Sequence, residues 1–385
     1  MKIGILTLHS QTNYGGVLQA FALQQAILKM GHDVEIVDYW LSRHNTSLKG
    51  PRPSLHVLKD MARDLVKRRV NAFDLMQFNR RYRKTFTFNK KHLKTSPRHF
   101  QSADDLEQNL CGYDVVVVGS DQVWNYKWFG NPNPFVLSRW DKNSKLISYA
   151  SSFGFDSLPD QYRATYQKGL AEFDRISIRE SSNVPLAQSL SGKDMIEVVA
   201  DPTLLLDKAE WMHLIRRTVS QNQYLLIYWL GNPNMLICSV TKLRTETDIR
   251  IVCLGGDNLL SRSASKTLKK LGVFVKFSAS PEDFLNLIAQ ADYVFSDSFH
   301  AFMFSIIFEK KCFIVVDSGS GRSSMALRMK DFVEICGSEE CIHPSVKDLD
   351  LARFCRPSTP GLGAFLSKSK HYLSVSLGEK TKTGV

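Results

Sequence analysis

The sequence DYVFSDSFHAFMFSIIFEKKCFIVV, residues 292–316, contains the pattern that decides the fold. It opens with the apolar run 293–295, which has the composition of a strand, and a short polar turn follows. The spacing then changes to a helical period, with apolar residues on one face at Phe299, Phe302, Met303, Ile306 and Ile307. Lys310 and Lys311 end this helix, and 312–316 is a second apolar strand. The stretch therefore predicts a strand–helix–strand unit of a parallel sheet.

His300 lies in the first turn of that predicted helix, directly after Ser296 and Ser298. In an open parallel sheet, ligands bind at the carboxyl ends of the strands, where helix N-termini point. The free backbone N–H groups of a helix N-terminus favour anions. These three residues are therefore candidates for a binding site. The structural alternative, a capping serine beside a partly buried histidine, stays open at this point.

The length and composition indicate a globular protein of two domains. A chain of 385 residues exceeds one ordinary core, and its 43% hydrophobic and 23% charged residues are typical of soluble proteins. The first residues do not resemble a signal peptide, and the apolar runs are too short to span a bilayer. Seven scattered cysteines argue against a disulfide framework and for a reducing compartment. We therefore expect a cytoplasmic protein and no metal site.

The N-terminal residues predict a βαβ opening. Residues 2–8 and 33–39 have strand composition, and residues 17–30 have helical spacing. The connecting loop ends in Asn13, Tyr14, Gly15 and Gly16, and its glycines let the backbone approach a ligand closely at a helix N-terminus. The spacing matches neither a dinucleotide fingerprint nor a phosphate-binding Walker loop. A tight left-handed turn before a helix is the structural alternative.

Two more polar positions follow predicted strands in the first half. Asp121 lies in the turn after the apolar run 114–118, and Arg179 comes directly after the strand 175–178. A guanidinium at a strand end suits a carboxylate or a phosphate, which it binds with two hydrogen bonds. The alternatives are a surface pair between Arg179 and Glu180 and a helix-capping role for Asp121.

Pro202 marks the junction to a second run of alternating strands and helices, because proline interrupts pairing in a central strand. This run includes a Gly/Ser turn that contains Arg322. The predicted fold class is α/β, with two Rossmann-like doubly wound parallel sheets that face a cleft. The predicted domains are residues 1–203 and 204–385.

Residues 41–100 interrupt the α/β pattern with a basic helical excursion that contributes to the net charge of +12. Nucleic acid, an anionic membrane and an anionic small substrate all suit such a charge. The excursion contains no nucleic-acid motif, so we expect no nucleic-acid partner. A solvated basic helix face is the simplest interpretation, and peripheral docking on an anionic membrane is the next. The arginines involved in docking would be Arg68, Arg69, Arg80, Arg81 and Arg83.

Six motifs in this order resemble those of the polysaccharide pyruvyl transferase family. They are NYGGVLQAFALQ (13–24), GSDQVWN (119–125), ISYASSFG (147–154), ISIRE (176–180), ADPTLLL (200–206) and SDSFHAF (296–302). The resemblance covers residues 1–335. It implies a fold similar to the two-Rossmann, GT-B type of glycosyltransferases. It also implies a bacterial enzyme of exopolysaccharide biosynthesis that transfers the enolpyruvyl group of phosphoenolpyruvate onto a glycan, which becomes a pyruvate ketal.

The resemblance also implies roles for the candidate residues. His300 matches the family histidine near the donor, and Arg179 matches a family arginine that binds it. His300 would be the acid or base, because imidazole titrates near neutrality. The loop 13–16 and the turn 119–125 would border the acceptor, with Asp121 as a candidate base. Phosphoenolpyruvate is the donor substrate, we expect no cofactor, and the acceptor glycan would be free or lipid-linked at the inner face of the membrane.

The sequence departs from the family pattern at Ser298, where some members have arginine. Arg322 is the predicted substitute for this second cation. The N-terminal half is expected to hold the acceptor and the C-terminal half the donor. Two alternatives remain: a nucleotide-sugar glycosyltransferase of the same fold, and a relative that has kept the fold without the reaction.

Overall fold

The computed structural model describes residues 1–10, 12–39, 72–129, 133–136, 143–215, 223–255, 262–316 and 323–378, with the backbone alone at 72–75, 78, 262 and 323–327. These residues form two parallel sheets with helices on both faces. The predicted α/β class with doubly wound parallel sheets is confirmed. None of the helices described is long and apolar enough to span a bilayer.

The first sheet has five parallel strands in the order β3-β2-β1-β4-β5. Two short strands, β6 and β7, pair in parallel beside β5, which they join through isolated bridges. The strands are β1 Lys2–Leu6, β2 Asp33–Tyr39, β3 Thr95–Phe100, β4 Val115–Val118, β5 Lys145–Ser148, β6 Ile176–Ile178 and β7 Ile196–Val198. The helices of this half are α1 Tyr14–Lys29, α2 Ala72–His92, α3 Ala103–Asn109, α4 Tyr126–Phe129, α5 Asp160–Ala171 and α6 Val184–Ser191.

The second sheet has six parallel strands in the order β10-β9-β8-β11-β12-β13. Its strands are β8 Tyr224–Trp229, β9 Arg250–Gly255, β10 Phe274–Lys276, β11 Tyr293–Ser296, β12 Lys311–Val315 and β13 Ile342–His343. The helices are α7 Lys208–Met212, α8 Pro233–Glu246, α9 Arg262–Lys270, α10 Pro281–Gln290, α11 Phe299–Ile307, α12 Ser323–Cys336 and α13 Leu362–Leu377. The stretch 292–316 forms the predicted strand–helix–strand unit as β11, α11 and β12.

Helix α1 is buried on nearly every side, because it lies between the two halves. Its side chains pack with those of the short 3₁₀ helix Pro202–Leu205 and of α10 and α11 in one continuous apolar core. A helix that is largely apolar around its whole circumference is typically buried on most sides. Tyr14, in its first turn, stacks on Phe284 of α10 with ring centroids 4.9 Å apart.

The basic excursion ends in a strand of the first sheet, which the sequence analysis missed. β3 pairs with β2 at the edge, where Pro97 is tolerated because an edge strand has one unpaired side. Before it, α2 lies within the predicted helical excursion 41–100, and residues 41–71 of that excursion lie outside the described residues.

The last helix, α13, returns to the first half. The Tyr372 hydroxyl donates to the Ser148 carbonyl at 2.9 Å, and the Ser369 hydroxyl accepts from the Ala200 N–H at 2.8 Å. The chain thus crosses between the halves twice, at Pro202 and again before α13.

Candidate active site

The N-terminus of α1 is built around Asn13 and two glycines. The Asn13 side chain accepts hydrogen bonds from the N–H groups of Gly15 and Gly16, at 2.9 and 3.4 Å, and caps the helix. A β-carbon at Gly15 would overlap the imidazole ring of His300. Glycine at this position therefore allows the first turn of α1 to lie directly against a side chain of the second half.

His300 faces Asp201 on its other side. Its Nε2 lies 3.7 Å from Asp201 Oδ2, which is longer than a direct hydrogen bond but is within the range of an ion pair when the imidazole carries a proton. Asp201 is fixed by Thr203, whose N–H and hydroxyl both donate to Asp201 Oδ1, at 3.0 and 2.8 Å. The imidazole is thus held between a helix N-terminus and an anchored carboxylate.

Arg179 is surrounded by three carboxylates. Its Nη1 donates to Asp201 Oδ2 at 2.9 Å, its Nε to Glu180 Oε1 at 3.2 Å, and its Nη2 to Asp121 Oδ1 at 3.3 Å. The guanidinium also lies over the ring of Phe299, 4.7 Å from its centroid. Because Phe299 precedes His300 on α11, this stacking joins the cluster of the first half to the candidate acid or base of the second.

The charges of this cluster shift the pKa values of its members. Burial alone would raise the pKa of Asp201, but His300 and Arg179 outweigh it and hold that pKa well below its usual range. Burial raises the pKa of Glu180, and Arg179 and Arg328 only partly offset the increase. Burial opposes a charge on Arg179, yet Glu180, Asp121 and Asp201 raise its pKa. Arg179 and Asp201 therefore remain charged, while Glu180 is the carboxyl that most readily carries a proton.

Helix α12 adds Arg328 and Asp331, one turn apart, to the same region. The Arg328 guanidinium lies 2.9 and 3.2 Å from the Gln122 amide oxygen in the orientation that satisfies the hydrogen-bond network. It also lies 5.8 Å from the centroid of Phe299. Asp331 accepts from both the N–H and the hydroxyl of Ser182, at 3.0 and 2.8 Å. α12 thus brings a second buried arginine to the cluster.

The family model for polysaccharide pyruvyl transferase matches residues 13–319. The chain belongs to the polysaccharide pyruvyl transferase family. This match covers the quoted motifs and far more than half of the 385 residues. No curated protein matches the chain.

Three solved structures share the fold of this pyruvyl transferase family member. This chain is similar to MnaA of S. aureus in complex with UDP, with 12% sequence identity and a TM-score of 0.52. The similarity covers 100% of this chain and 99% of MnaA. The UDP-GlcNAc 2-epimerase of Neisseria meningitidis, bound to UDP-GlcNAc, has 11% sequence identity and a TM-score of 0.52. The similarity covers 98% of this chain and 99% of the epimerase. The glycosyltransferase AviGT4 of avilamycin A biosynthesis has 12% sequence identity and a TM-score of 0.50, over 98% of each chain. These likenesses confirm the predicted GT-B-like pair of Rossmann-like domains.

The structure brings together three residues that the sequence analysis singled out as charged or titratable groups: His300, Arg179 and Asp121. Asp121 has a φ of +66°, a left-handed conformation that is uncommon for a residue other than glycine. Its Oδ2 also faces Gly16, where a β-carbon would lie 3.7 Å away. The two glycines of the loop therefore contact the two candidate proton carriers, one each.

The hydroxyls of Ser296 and Ser298 make local hydrogen bonds in the described conformation. Ser296 donates to the Tyr228 carbonyl and accepts from the Ser298 N–H, and Ser298 caps α11 through the Ala301 N–H at 3.4 Å. Tyr14 donates to the Ala279 carbonyl at 3.2 Å, within the core between the halves. Arg322 lies outside the described residues. The predicted substrate contacts of these residues stay predictions.

The sequence analysis did not place Asp201 or Arg328 in the cluster, and it considered Glu180 only as a surface partner of Arg179, whereas this pair is buried. The motifs contain both acidic residues, because Asp201 is the acid of ADPTLLL and Glu180 is the last residue of ISIRE. An acidic residue directly after a strand, next to a proline that begins a helical turn, was the available signal for Asp201. Arg328 lies on α12, beyond the last motif, and its place depends on how that helix packs.

Proposed function

We propose that this family member transfers the pyruvyl group of phosphoenolpyruvate onto two hydroxyls of a glycan, forming a pyruvate ketal and releasing phosphate. The observation that carries the proposal is the position of His300. Its imidazole is held between Gly15 and Asp201, beside Arg179 and Asp121, where the two Rossmann-like halves meet. A histidine paired with an ionised carboxylate is suited to donate a proton and to accept it back.

In the first step, His300 gives a proton to C3 of the enol, and C2 becomes an oxocarbenium-like centre. The negative charge of Asp201 stabilises the imidazolium before this transfer. One sugar hydroxyl then adds to C2 and loses its proton. In the second step, the C2–O bond to phosphate breaks, the second hydroxyl adds to C2, and its proton is also lost. The products are a pyruvate ketal, in which C3 is now a methyl group, and inorganic phosphate. Of the two protons lost from the hydroxyls, one replaces the proton that His300 gave to C3 and the other leaves with the phosphate.

Arg179 would hold the donor by exchanging one of its carboxylates. Of its three contacts, the one to Asp121 is the longest, at 3.3 Å. A carboxylate or phosphate of the donor in the place of Asp121 would accept the hydrogen bond that Arg179 Nη2 now donates to Asp121. Asp121, once released from Arg179, would be free to accept the proton of a sugar hydroxyl. Donor binding and activation of the acceptor would then be coupled through one arginine.

Arg328 is our proposed second cation for the donor, alongside the predicted Arg322. Phosphoenolpyruvate carries both a phosphate and a carboxylate, and a single guanidinium that also pairs with three carboxylates does not neutralise both groups. Arg328 lies over the same Phe299 ring as Arg179. Two arginines against one aromatic side chain would bind the two ends of the donor on either side of it.

The cluster must open to admit a substrate. The side chains of Arg179, Asp121, Asp201 and His300 are 4%, 6%, 0% and 8% exposed. Closure of two domains around ligands is a common motion, in which hinges absorb the change at a few loop or terminal residues. We propose that the described conformation is the closed one, and that donor and acceptor enter when the halves separate at this face.

Docking on an anionic membrane, where a lipid-linked acceptor would lie, is also part of the proposal, with fewer arginines than the sequence suggested. Arg81 is buried and donates to the carbonyls of Thr12 and Gly255, so it takes no part. Arg80 and Arg83 are candidates, while Arg68 and Arg69 lie outside the described residues. Each near-surface cation contributes about 1 kcal/mol. Sedimentation with anionic vesicles, and its loss in Arg83→Ala, would support docking; equal binding to neutral vesicles would exclude it.

The test of the proposed function is a reaction in D₂O with phosphoenolpyruvate and bacterial glycan precursors. We expect release of phosphate that depends on the glycan, and a glycan product whose new methyl group carries one solvent deuterium. Release of a nucleoside diphosphate from nucleotide sugars instead would favour a glycosyltransferase. Absence of both reactions across a broad panel of glycans would indicate a relative that has kept the fold without the chemistry.

A further inference from the structure

Three cysteines meet at the edge of the second sheet, all of them after the last of the six motifs. Cys312 is in β12, and its backbone exchanges hydrogen bonds with that of Cys355, at 2.8 and 3.3 Å, as an isolated antiparallel bridge. The thiols of Cys341 and Cys355 lie 2.7 Å apart, and the thiol of Cys312 also interacts with Cys341. Residues separated by up to 43 positions are therefore brought to one point by the pairing of β12 with its neighbours.

A carboxylate completes this group. Glu340 Oε1 lies 3.9 Å from Cys341 Sγ, and it accepts from the Ser358 N–H at 3.0 Å. The ligand atoms of Glu340, Cys341 and Cys355 all lie within 4.8 Å of one another. The hydrogen bond from the Ser358 N–H holds the carboxylate in place, as hydrogen-bond partners of metal ligands commonly do.

We propose that Cys312, Cys341, Cys355 and Glu340 bind a zinc-class divalent ion. Glu340, Cys341 and Cys355 offer one carboxylate oxygen and two sulfurs, which are ligand types that zinc prefers, and Cys312, whose thiol interacts with Cys341, would supply the fourth ligand of a closed tetrahedral site. Zinc–sulfur bonds of about 2.3 Å place two thiolates about 3.7 Å apart. Cys341 and Cys355 would therefore move apart by about 1 Å around the ion. The sequence predicted no metal, because these cysteines are scattered along the chain and no close pair repeats.

The site would fasten the segment that leads to α13. Residues 337–361 contain only short 3₁₀ turns and the two-residue strand β13 among their regular elements, so little regular structure holds them. The segment ends at α13, which crosses to the first half and contacts Ser148 and Ala200. A metal that joins Cys355 to β12 and to Cys341 would thus stabilise the return of the chain to the first half.

The test measures metal in the full-length protein purified without chelator, and then in protein reconstituted with Co²⁺. We expect roughly one zinc per chain by elemental analysis, and a sulfur-to-cobalt charge-transfer band after reconstitution. Cys341→Ser and Cys355→Ser should each lose the band. Their loss of metal affinity should exceed the roughly 10–100-fold that follows when only a hydrogen-bond partner of a ligand is removed. Cys111→Ser and Cys238→Ser, at exposed cysteines, are the matched controls and should keep it.

Two results would overturn the proposal. One is a chain without bound zinc in which all seven cysteines react with an alkylating reagent in denaturant before reductant is added, and which gives no cobalt band. The other is protection of Cys341 and Cys355 from alkylation until reductant is added, because that outcome identifies a disulfide in place of the metal. If Cys341→Ser does not fold, Glu340→Gln replaces it: the cobalt band should then shift, since an oxygen ligand has changed while the three sulfurs remain.

Discussion

Two buried arginines, Arg179 and Arg81, join the halves of this protein by different means. Arg179 donates to three carboxylates and lies over Phe299 of the second half. Arg81 donates to the carbonyls of Thr12 and Gly255, at 2.9 and 3.0 Å, and lies 4.0 Å from the centroid of the Tyr14 ring. Both guanidiniums are almost completely buried.

The partners decide what each arginine can do. Backbone carbonyls are neutral and fixed, so the contacts of Arg81 stabilise one arrangement of α1, α2 and β9. Carboxylates can take up protons or exchange a cation for another partner, so the contacts of Arg179 can rearrange when an anion binds. The first is a structural clamp, and the second is a charge network in contact with His300.

The largest effect on stability is expected for Arg179→Ala. It leaves Asp201, Asp121 and Glu180 buried without their shared cation, and breaking a buried pair in this way costs about 3–5 kcal/mol. Urea unfolding followed by circular dichroism should show this loss. Arg179→Lys is the matched control, because it keeps the charge and loses the planar fork. An unchanged free energy of unfolding in the alanine variant would mean that the cluster is not held by this arginine.

Gly15→Ala should reduce activity more than it reduces stability. The added methyl group meets the His300 ring, and a displacement of about 1 Å near the chemistry can cost about 10²-fold in rate. Gly363→Ala is the control, because a β-carbon there meets nothing within 4 Å. Steady-state turnover of the two variants gives the comparison. Equal activities would show that the contact between Gly15 and His300 is incidental.

Asp201→Asn should remove a pH-dependent part of the stability. The pKa of Asp201 is lower in the folded protein than its ordinary value of 3.8. The stability that the ionised Asp201 contributes is therefore present at neutral pH, and it is lost as the pH falls from 3.8 towards the pKa of the folded state. We expect the wild type to exceed the variant by about 1.5–3 kcal/mol at pH 7, the range of a charge-assisted hydrogen bond. This difference should shrink below about pH 4. A difference that is constant from pH 7 to pH 3 would contradict the ionised pair.

Arg81→Ala tests the other member of the comparison. Loss of the guanidinium leaves two buried carbonyls without this donor, and an unsatisfied buried group costs about 1–3 kcal/mol. The variant should unfold at lower urea, yet the turnover of its folded fraction should stay close to that of the wild type. Arg80→Ala, at an exposed neighbour on α2, is expected to stay within about 0.5 kcal/mol. A selective loss of turnover in Arg81→Ala would remove the distinction drawn between the two arginines.

The strands and helices could be predicted from the sequence because their apolar periods are strong. The unit 292–316 is an example: its strand, helix and following strand all lie where the spacing placed them, to within a few residues. β3 was missed because TSPRHF contains a proline and few apolar residues, which only an edge strand tolerates. The pairing of this segment with β2 is a long-range contact that no local pattern encodes.

Within the candidate site, the sequence identified the groups at strand ends but not how they combine. Each of the three residues His300, Arg179 and Asp121 follows a predicted strand. The sequence therefore predicted that they lie on the same side of the molecule, at the carboxyl ends of the strands. Arg81 was assigned to a basic surface, because a cation next to other cations on a helix gives no sign of burial. Its actual environment depends on α2 packing against the junction of the two halves.

The measurement that tests the central claim most directly is the turnover of His300→Gln with phosphoenolpyruvate and its acceptor. Glutamine fills much of the same space and can hydrogen-bond to Asp201, but it cannot transfer a proton at neutral pH. A positioned acid or base contributes about 10²–10⁴-fold, so we expect turnover to fall by that factor while the KM for phosphoenolpyruvate changes little. Retention of most of the wild-type turnover by a folded His300→Gln variant would contradict the account, because His300 would then only orient the donor.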